Sequence, residues 1–486
     1  MDVMRDGNPE DLRSPLFDGR PRDEVAEMIE ALGPFGHPEM DAIEQKEREN
    51  MGTLSKCKSF EETKDAFFAY FDNPNPSGER GAFEIARKYV MDLLPFRSLH
   101  SLSLSTAFGL MPEGTNLGWN TWSRESSVAK KMYLPRARNI KSPSDIGPFT
   151  VFRRVQANGE EFGKRRHVMG ADHVETILWE SLLPAILKVL RSKPGFAGWN
   201  HPDIVDQRMT ELLQFAVRNK LQIVSGDHSK FDSSLTSHWI NVVFDAIEGW
   251  FQSSDSRVIN ILREVFLHHG CLCPMGWVEE RDGAVMSGSG GTNLIDSLCN
   301  LGANKYVAER SQTKLLRCEV LGDDFVSVWS REILDSLEDL MAEVGLTTNK
   351  DKQFVSYNSC HYLQRWHSMD YLTGGVAHGV RSLYRAMNGM LGYERMRSGW
   401  NKYMDSVRWG MQGEQVRWHK HFSAFTALWR SGDDVLSTGI DLVKVCKLAG
   451  GKAKVRDVLG ISSYPFNVKD PEGIESFAIT RELRKL

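Results

Sequence analysis

The stretch Cys318-Glu-Val-Leu-Gly-Asp-Asp-Phe-Val-Ser-Val-Trp329 constrains the fold more than any other part of the chain. Apolar residues run into Gly322-Asp323-Asp324, and apolar residues alternating with small polar ones run out of it. Gly and Asp tolerate the tight backbone that strand interiors reject, so the pattern predicts a β-hairpin with its carboxylates at the turn. Two adjacent carboxylates flanked by buried strands repel each other unless a cation lies between them. A divalent ion with hard oxygen ligands, Mg2+ or Mn2+, is the simplest such partner. An ordinary acidic turn has the same composition, as a second copy, Gly432-Asp433-Asp434, illustrates. That copy follows Trp429-Arg430-Ser431 and precedes an apolar helical run, so it reads as a loop supplying a helix N-cap. Only the first copy has strands on both sides and a companion carboxylate motif upstream.

The companion begins at Leu221-Gln-Ile-Val-Ser225, a short apolar strand that ends in Gly226-Asp227-His-Ser-Lys-Phe-Asp232. Asp227 stands at the strand's C-terminal end, where α/β folds place ligands. Asp232 follows across the turn into a helix whose face carries Ile240, Val243, Phe244, Ile247 and Phe251 at helical spacing. Alone, such an acid reads as a helix cap; beside a second strand-borne carboxylate pair it makes a two-metal site candidate. Between the acidic motifs, Met286-Ser-Gly-Ser-Gly-Gly-Thr292 opens a helix at Asn293-Leu-Ile-Asp296. Free backbone N–H groups and small hydroxyls at such a start face whatever binds there. The loop lacks the Gly-Lys-Ser/Thr of a phosphate-binding P-loop. A plain flexible loop explains its glycines, but not the polar Ser287, Thr292, Asn293 and Asp296.

Further upstream the chain is basic. Between Lys130 and Gly170, ten Lys or Arg stand against three acids. They are densest at Phe152-Arg-Arg-Val155 and Gly163-Lys-Arg-Arg-His-Val168, on either side of a turn at Asn158-Gly159. Two basic strands joined as a hairpin would present guanidinium and ammonium groups to phosphate oxygens. A solvated charged face is the ordinary origin of such a run. The net charge of −4 argues against a generally basic nucleic-acid coat and leaves room for a basic channel inside a neutral shell.

Residues 1 to about 95 read as a charged, mostly helical lead-in, with helical apolar spacing at Arg22–Leu32 and Phe60–Phe71 and a break at Asn73–Gly78. Thr115-Asn-Leu-Gly-Trp-Asn120 reads by itself as a turn, and residues 172–195 and 202–219 read as amphipathic helices. After the acidic hairpin, a basic loop at Gly345–Lys352 leads to His361–His367, which reads as one strand with a single cation, Arg365, among aromatics. Seven cysteines without a C-x-x-C pair fit free thiols in a reducing compartment better than disulfides or zinc. The polar, acidic first residues are unlike a signal peptide. No run reaches the roughly 18 uncharged apolar residues that would predict a membrane span.

Taken in order, the basic hairpin, D-x-x-x-x-D, S-G-x-x-x-T, G-D-D, the lysine loop and an L-Q-R strand resemble the palm-and-fingers signature of viral RNA-dependent RNA polymerases. The wording is most similar to polymerases of picobirnaviruses, with those of partitiviruses next. The resemblance is specific from about Arg153 to Arg365, weaker over Thr115–Asn120, and fades toward both ends. It departs at Asp296, where many of these enzymes carry Asn, and at Met286, where Pro often precedes the Ser-Gly.

The resemblance implies an α+β right-hand architecture of fingers, palm and thumb, with a mostly antiparallel palm sheet carrying the catalytic carboxylates. The implied divisions are a helical extension bridging fingers and thumb (1–95), fingers (96–220), palm (221–250), a fingers insertion (251–285), palm (286–370) and thumb (371–486). The implied activity is RNA-directed RNA polymerisation that replicates and transcribes a viral, double-stranded RNA genome by two-metal-ion transfer of NTPs onto an RNA 3′-hydroxyl. Asp227, Asp323 and Asp324 would hold two Mg2+ (or Mn2+) ions, and Lys352 would be the general acid. Arg154, Lys164 and Arg166 would take the incoming phosphates. Asp232, Ser287, Gly288, Thr292, Asn293 and Asp296 would surround the nucleotide, with Asp232, Ser287 and Asp296 sensing its 2′-hydroxyl. Thr115, Asn116 and Gly118 would line the template entrance, and Arg365 would help to grip the nascent strand. The implied partners are template and product RNA, NTPs and a capsid protein, without a membrane, in the virion interior and the host-cell cytoplasm.

Two other readings share features of the sequence. A reverse transcriptase-like polymerase shares the palm carboxylates, but such enzymes usually exclude the 2′-hydroxyl with a bulky side chain near the first motif, where this chain has Asp232. A non-catalytic RNA-binding or capsid-associated protein would show decayed motifs, and here all three carboxylates and the lysine are present.

Overall fold

The protein, a computed structural model, is described over residues 6–72, 80–111, 116–278, 281–348, 353–459 and 474–486. Two early helices are α1, Pro38–Glu49, and α2, Phe60–Phe68. Pro38 starts α1 where a missing N–H costs nothing, and Ser59 with Glu62 closes a capping box on α2. The break expected over Asn73–Gly78 lies outside the described residues.

The basic segment folds into β1 (Phe149–Gln156) and β2 (Lys164–Gly170), an antiparallel hairpin in which Arg154 faces Arg166 and Gln156 faces Lys164. Opposed residues share a face, and so do residues two apart. Phe152, Arg154, Lys164 and Arg166 therefore lie on one side, while Val151, Val155 and Arg165 occupy the other and are buried. Helices α3 (His173–Leu190) and α4 (Pro202–Asn219) follow, and then β3 (Ile223–Gly226). Next come α5 (Ser237–Trp250), the short β4 (Cys271–Cys273) and β5 (Gly276–Val278), and α6 (Thr292–Arg310). The acidic hairpin is β6 (Leu315–Leu321) and β7 (Asp324–Trp329), followed by β8 (Phe354–Ser356).

The strands make two four-stranded sheets, ordered β2-β1-β4-β5 and β6-β7-β3-β8, the second wholly antiparallel. That second sheet positions the site, and the alternation of its side chains divides them between two cores. Val224, Val320, Phe325 and Trp329 join a large core with α5 and α6. Ile223, Val326 and Val328 pack instead on Met209 and Leu213 of α4.

The segment His361–His367 is not one strand. It splits into β9 (Ser359–Tyr362) and β10 (Arg365–Ser368), an antiparallel hairpin. Leu363 and Gln364 turn it at φ 51° and 61°, the primed turn that ordinarily wants Gly or Asn. Left-handed backbone costs on the order of 1 kcal/mol per such residue. Tertiary burial offsets it, since Tyr362 packs into the core with α4 and Trp366 into another with Phe35 and Met40.

The C-terminal part is helical, with α7 at Leu383–Leu391, α8 at Lys402–Glu414 and α9 at Phe422–Gly432. Its core includes Trp409 and Trp429 and also Leu16, Phe17, Val25, Ala26 and Ile29 from the other end of the sequence. Phe60, Phe67, Ala86 and Val90 pack instead into the core around α5 and α6. Helix α1 joins the β9–β10 hairpin to α7, and its carboxylates bind both. Glu39 accepts from Ser359 Oγ at 2.6 Å and Trp366 Nε1 at 2.8 Å. Glu44 accepts the Leu383 N–H at 2.9 Å and the Ser382 hydroxyl, and lies 3.1 Å from His419 Nε2. Glu47 pairs with Arg385 at 2.7 Å.

All seven cysteines are free. No helix among the described residues is long and apolar enough to cross a membrane. The second acidic copy is a capping loop: Asp433 is buried and accepts from Ser406 Oγ and from the backbone N–H groups of Val435 and Leu436.

Candidate active site

The turn Gly322-Asp323 joins β6 to β7, with Leu321 paired to Asp324 across it. Gly322 holds φ 61°, a conformation glycine adopts without steric cost. β3 ends beside β7, with Gly226 paired to Phe325, which sets Asp227 next to the turn. A Cβ on Gly226 would lie 2.1 Å from the Phe325 ring, so glycine is what lets the two strands close. As a result, carboxylate oxygens of Asp227, Asp323 and Asp324 come within 4.8 Å of one another. Asp227 and Asp323 are exposed and Asp324 is half-buried. Burial, then the Asp323 and Asp227 carboxylates, push the Asp324 carboxyl up to about 7, while Arg385 pulls it down. A cluster in this state is short of positive charge, and its all-oxygen donor set fits a hard divalent cation.

Asp232 lies half-buried in the helical turn Phe231–Ser234. Burial and then Asp323 raise its carboxyl to about 6, and Arg166 draws it down, so the basic hairpin is within electrostatic reach of the acidic site. Asp296 is 4% exposed on α6, and burial, then Asp232 and Asp323, hold its carboxyl well above the usual range. Asp296 Oδ1 and Ser287 Oγ are buried without a hydrogen-bond partner among the described residues.

The serine-glycine loop is seated between β2 and α3. Gly288 donates to the Met169 carbonyl at 3.0 Å, and a Cβ there would lie 2.5 Å from the same oxygen. A Cβ on Gly291 would lie 2.3 Å from the Trp179 ring of α3. Thr292 turns its hydroxyl back onto this loop, to the Met286 and Ser289 carbonyls at 2.7 and 3.1 Å. Asn293 is exposed beside Gly322, and its Oδ1 accepts from Trp199 Nε1 at 2.5 Å.

Arg154, Lys164 and Arg166 project as exposed cations from one face of the hairpin, and Arg154 lies 3.6 Å from Glu394 beyond α7. Arg365 is engaged elsewhere: its guanidinium bonds Gln415 Oε1 at 2.7 Å and the Gly379 carbonyl at 3.5 Å. Asn116 Oδ1 accepts the Gly118 N–H at 2.9 Å, and Gly118, at φ 76°, sits so close to the Ala171 carbonyl that no side chain fits. Thr115 and Lys352 lie outside the described residues.

Three buried residues that hold the site are missing from the sequence reading. Ser297 Oγ accepts the Gly322 N–H at 2.9 Å, Asn300 donates to the carbonyls of the acidic turn, and Glu175 of α3 holds Ser289 and Gly290. The signal for two of them is legible afterwards. Asp296, Ser297, Asn300 and Asn304 are polar at helical spacing within a helix that is otherwise buried and largely apolar.

The family described as viral RNA-dependent RNA polymerase matches residues 163–383. A protein of human picobirnavirus described as a potential RNA-dependent RNA polymerase is 24% identical over 460 residues, covering 88% of this chain and 83% of its own. Two crystal structures superpose on the chain at 20% identity, each covering 100% of this chain and 95% of the other. They are the RNA-dependent RNA polymerase of a human picobirnavirus, with a TM-score of 0.84, and an insertion-loop deletion mutant of such an enzyme, with a TM-score of 0.83. The solved structures show the right-hand polymerase fold, and the family match over residues 163–383 and the curated relative agree on one activity, that of a viral RNA-dependent RNA polymerase.

Proposed function

We propose that the chain extends RNA by two-metal-ion nucleotidyl transfer, and the observation that carries this reading is the convergence of Asp227, Asp323 and Asp324 at the ends of paired strands. Two divalent ions held there, Mg2+ or Mn2+, would acidify the attacking 3′-hydroxyl and neutralise the triphosphate. The chain's own residues bind and orient. Arg154 and Arg166 face each other across the β1–β2 ladder. Like charges so opposed are unfavourable until an anion lies between them, which suits them, with Lys164, to the incoming phosphates. A buried polar atom left unpaired costs roughly 1–3 kcal/mol. Ser287 Oγ and Asp296 Oδ1, both in that state, therefore offer hydrogen bonds to the ribose 2′-hydroxyl, together with Asp232. Gly288 lets the loop approach β2, Thr292 closes it, and Asn293 flanks the acidic turn.

Lys352 serves as general acid, Thr115 with Asn116 and Gly118 lines the template entrance, and Arg365 braces the strand that grips the product. Residues 1–95 bridge fingers and thumb, a reading supported by their share in both large cores. The likeness to picobirnavirus polymerases supports a double-stranded RNA genome, replicated and transcribed in the virion interior and host cytoplasm beside the capsid protein.

Primer extension on RNA templates with Mg2+ tests the reading. Asp323→Ala and Asp227→Ala each bring nucleotide addition below about a tenth of the parental rate, because a lost ligand costs several kcal/mol. RNA binding persists, since other groups hold the phosphates. An Asp323→Ala enzyme faster than that removes the metal assignment, and a preference for deoxynucleotides in the parent would favour the reverse transcriptase-like reading.

A further inference from the structure

We infer that Asn300, assisted by Ser297, is a positioning residue that locks the turn bearing Asp323 and Asp324 to the turn following Asp227, and so sets the affinity of the site for its metal ions; this rests on the metal reading proposed above. Asn300 is fully buried in α6. Its Nδ2 donates to three consecutive carbonyls, those of Gly322, Asp323 and Asp324, at 2.9, 3.0 and 3.3 Å. Carbonyls only accept, so the amide nitrogen must point this way. On the other side, Asn300 Oδ1 lies 3.4 Å from His228 Nε2 and accepts from Asn304 Nδ2 at 3.0 Å. His228 directly follows Asp227, is 3% exposed, and stacks on Phe231 with ring centroids 4.7 Å apart. Its ring is thus packed in place directly beside the backbone that carries Asp227.

One turn earlier in the helix, Ser297 Oγ takes the Gly322 N–H at 2.9 Å. The acidic turn is thus gripped through both its N–H and its C=O groups, while the same amide reaches across to the residue after Asp227. None of these atoms is a ligand. They fix where the ligands stand, and a constellation of this kind works only when held to within about 0.5 Å.

The bland alternative is a satisfied polar residue in a core, which would affect stability alone. Three variants separate the two. Asn300→Asp keeps the shape but turns an acceptor toward three carbonyls, Ser297→Ala removes one hydroxyl, and Tyr306→Phe removes a hydrogen bond to Glu343 from the same helix without touching Asn300 or the acidic turn. The measurements are Mn2+ binding to the ion-free protein by electron paramagnetic resonance, the Mg2+ concentration at half-maximal primer extension, and the thermal midpoint.

Asn300→Asp is expected to raise the Mn2+ Kd and the half-maximal Mg2+ by about tenfold, the worth of roughly one lost hydrogen bond. Ser297→Ala shifts both by about threefold in the same direction, and it decides the matter should Asn300→Asp not fold. The KM for nucleotide at saturating Mg2+ stays at the parental value in both. Tyr306→Phe lowers the thermal midpoint and leaves the Mn2+ Kd in place. Parental Mn2+ affinity in the Asn300 and Ser297 variants, or an equal shift in Tyr306→Phe, would overturn the inference. Asp323→Ala serves as the control for the metal reading itself. If it binds Mn2+ like the parent, that reading fails; if it loses Mn2+ while Asn300→Asp does not, only the positioning role fails.

Discussion

Glu175 is fully buried on α3, and its carboxyl receives the Ser289 hydroxyl and, at 3.3 Å, the Gly290 N–H, so it ties the serine-glycine loop to α3. Burial pushes this carboxyl up to about 7 from an ordinary 4.5, against the pull of its hydrogen bonds. Between those values the folded chain keeps a proton that the unfolded chain has lost. Its contribution is complete below the unfolded value and is lost as pH rises through the folded one, so stability falls across that window and then levels. Glu175→Gln keeps the shape and an acceptor but cannot ionise. The variant should therefore lose less stability than the parent between about pH 5 and 7.5, by on the order of 2–3 kcal/mol at most. Urea midpoints over that range measure it, and parallel curves would show that Glu175 is ionised throughout. Residues such as Glu175 and Asn300 escaped the sequence because their partners, largely backbone groups, lie far from them along the chain. A pattern of side chains says where an acid is, as it did for Asp227 and Asp323, but not which carbonyl or N–H a buried polar group will find.

Strands and helices were legible wherever their period was. The basic hairpin, the acidic hairpin and α4 fall where alternation and helical spacing put them. The failure at His361–His367 has a physical cause. A turn of Leu363 and Gln364 carries no Gly, Asn or Asp, and the packing that enforces it comes from α4 and from Phe35, far away in the sequence. The basic hairpin supports a prediction of its own. With Arg154 and Arg166 opposed on one face, Arg166→Ala should raise the KM for nucleotide roughly tenfold, the value of about one charge-assisted hydrogen bond. It also relieves like-charge repulsion, so the thermal midpoint of the nucleotide-free protein should hold or rise slightly. Steady-state kinetics and a thermal scan check both halves. An unchanged nucleotide dependence would return these arginines to a solvated face.

For the molecule as a whole, α1 is the least expected element, because it falls in the charged lead-in outside the two segments with helical apolar spacing, and its partners lie far away in the sequence. Glu44 shows how much it carries. It is buried and accepts from the Leu383 N–H and the Ser382 hydroxyl beside His419. Glu44→Ala should lower stability by about 2–3 kcal/mol, since it strands buried donors. The same variant should shorten RNA products without changing the KM for nucleotide, because Glu44 touches none of the groups around the acidic turn. Denaturant unfolding and the length distribution of extension products test the two parts. The carboxylates of α1 also bear on how the enzyme comes into being. Glu39 and Glu44 meet Ser359 and Ser382 across 320 and 338 residues of sequence. A ribosome adding about 5–20 residues per second would take roughly 15–70 s to cover that distance. Throughout that interval α1 has emerged while the partners of Glu39 and Glu44 do not yet exist. The polar grip of α1 is therefore completed late, only once Ser359, Ser382 and His419 have been made.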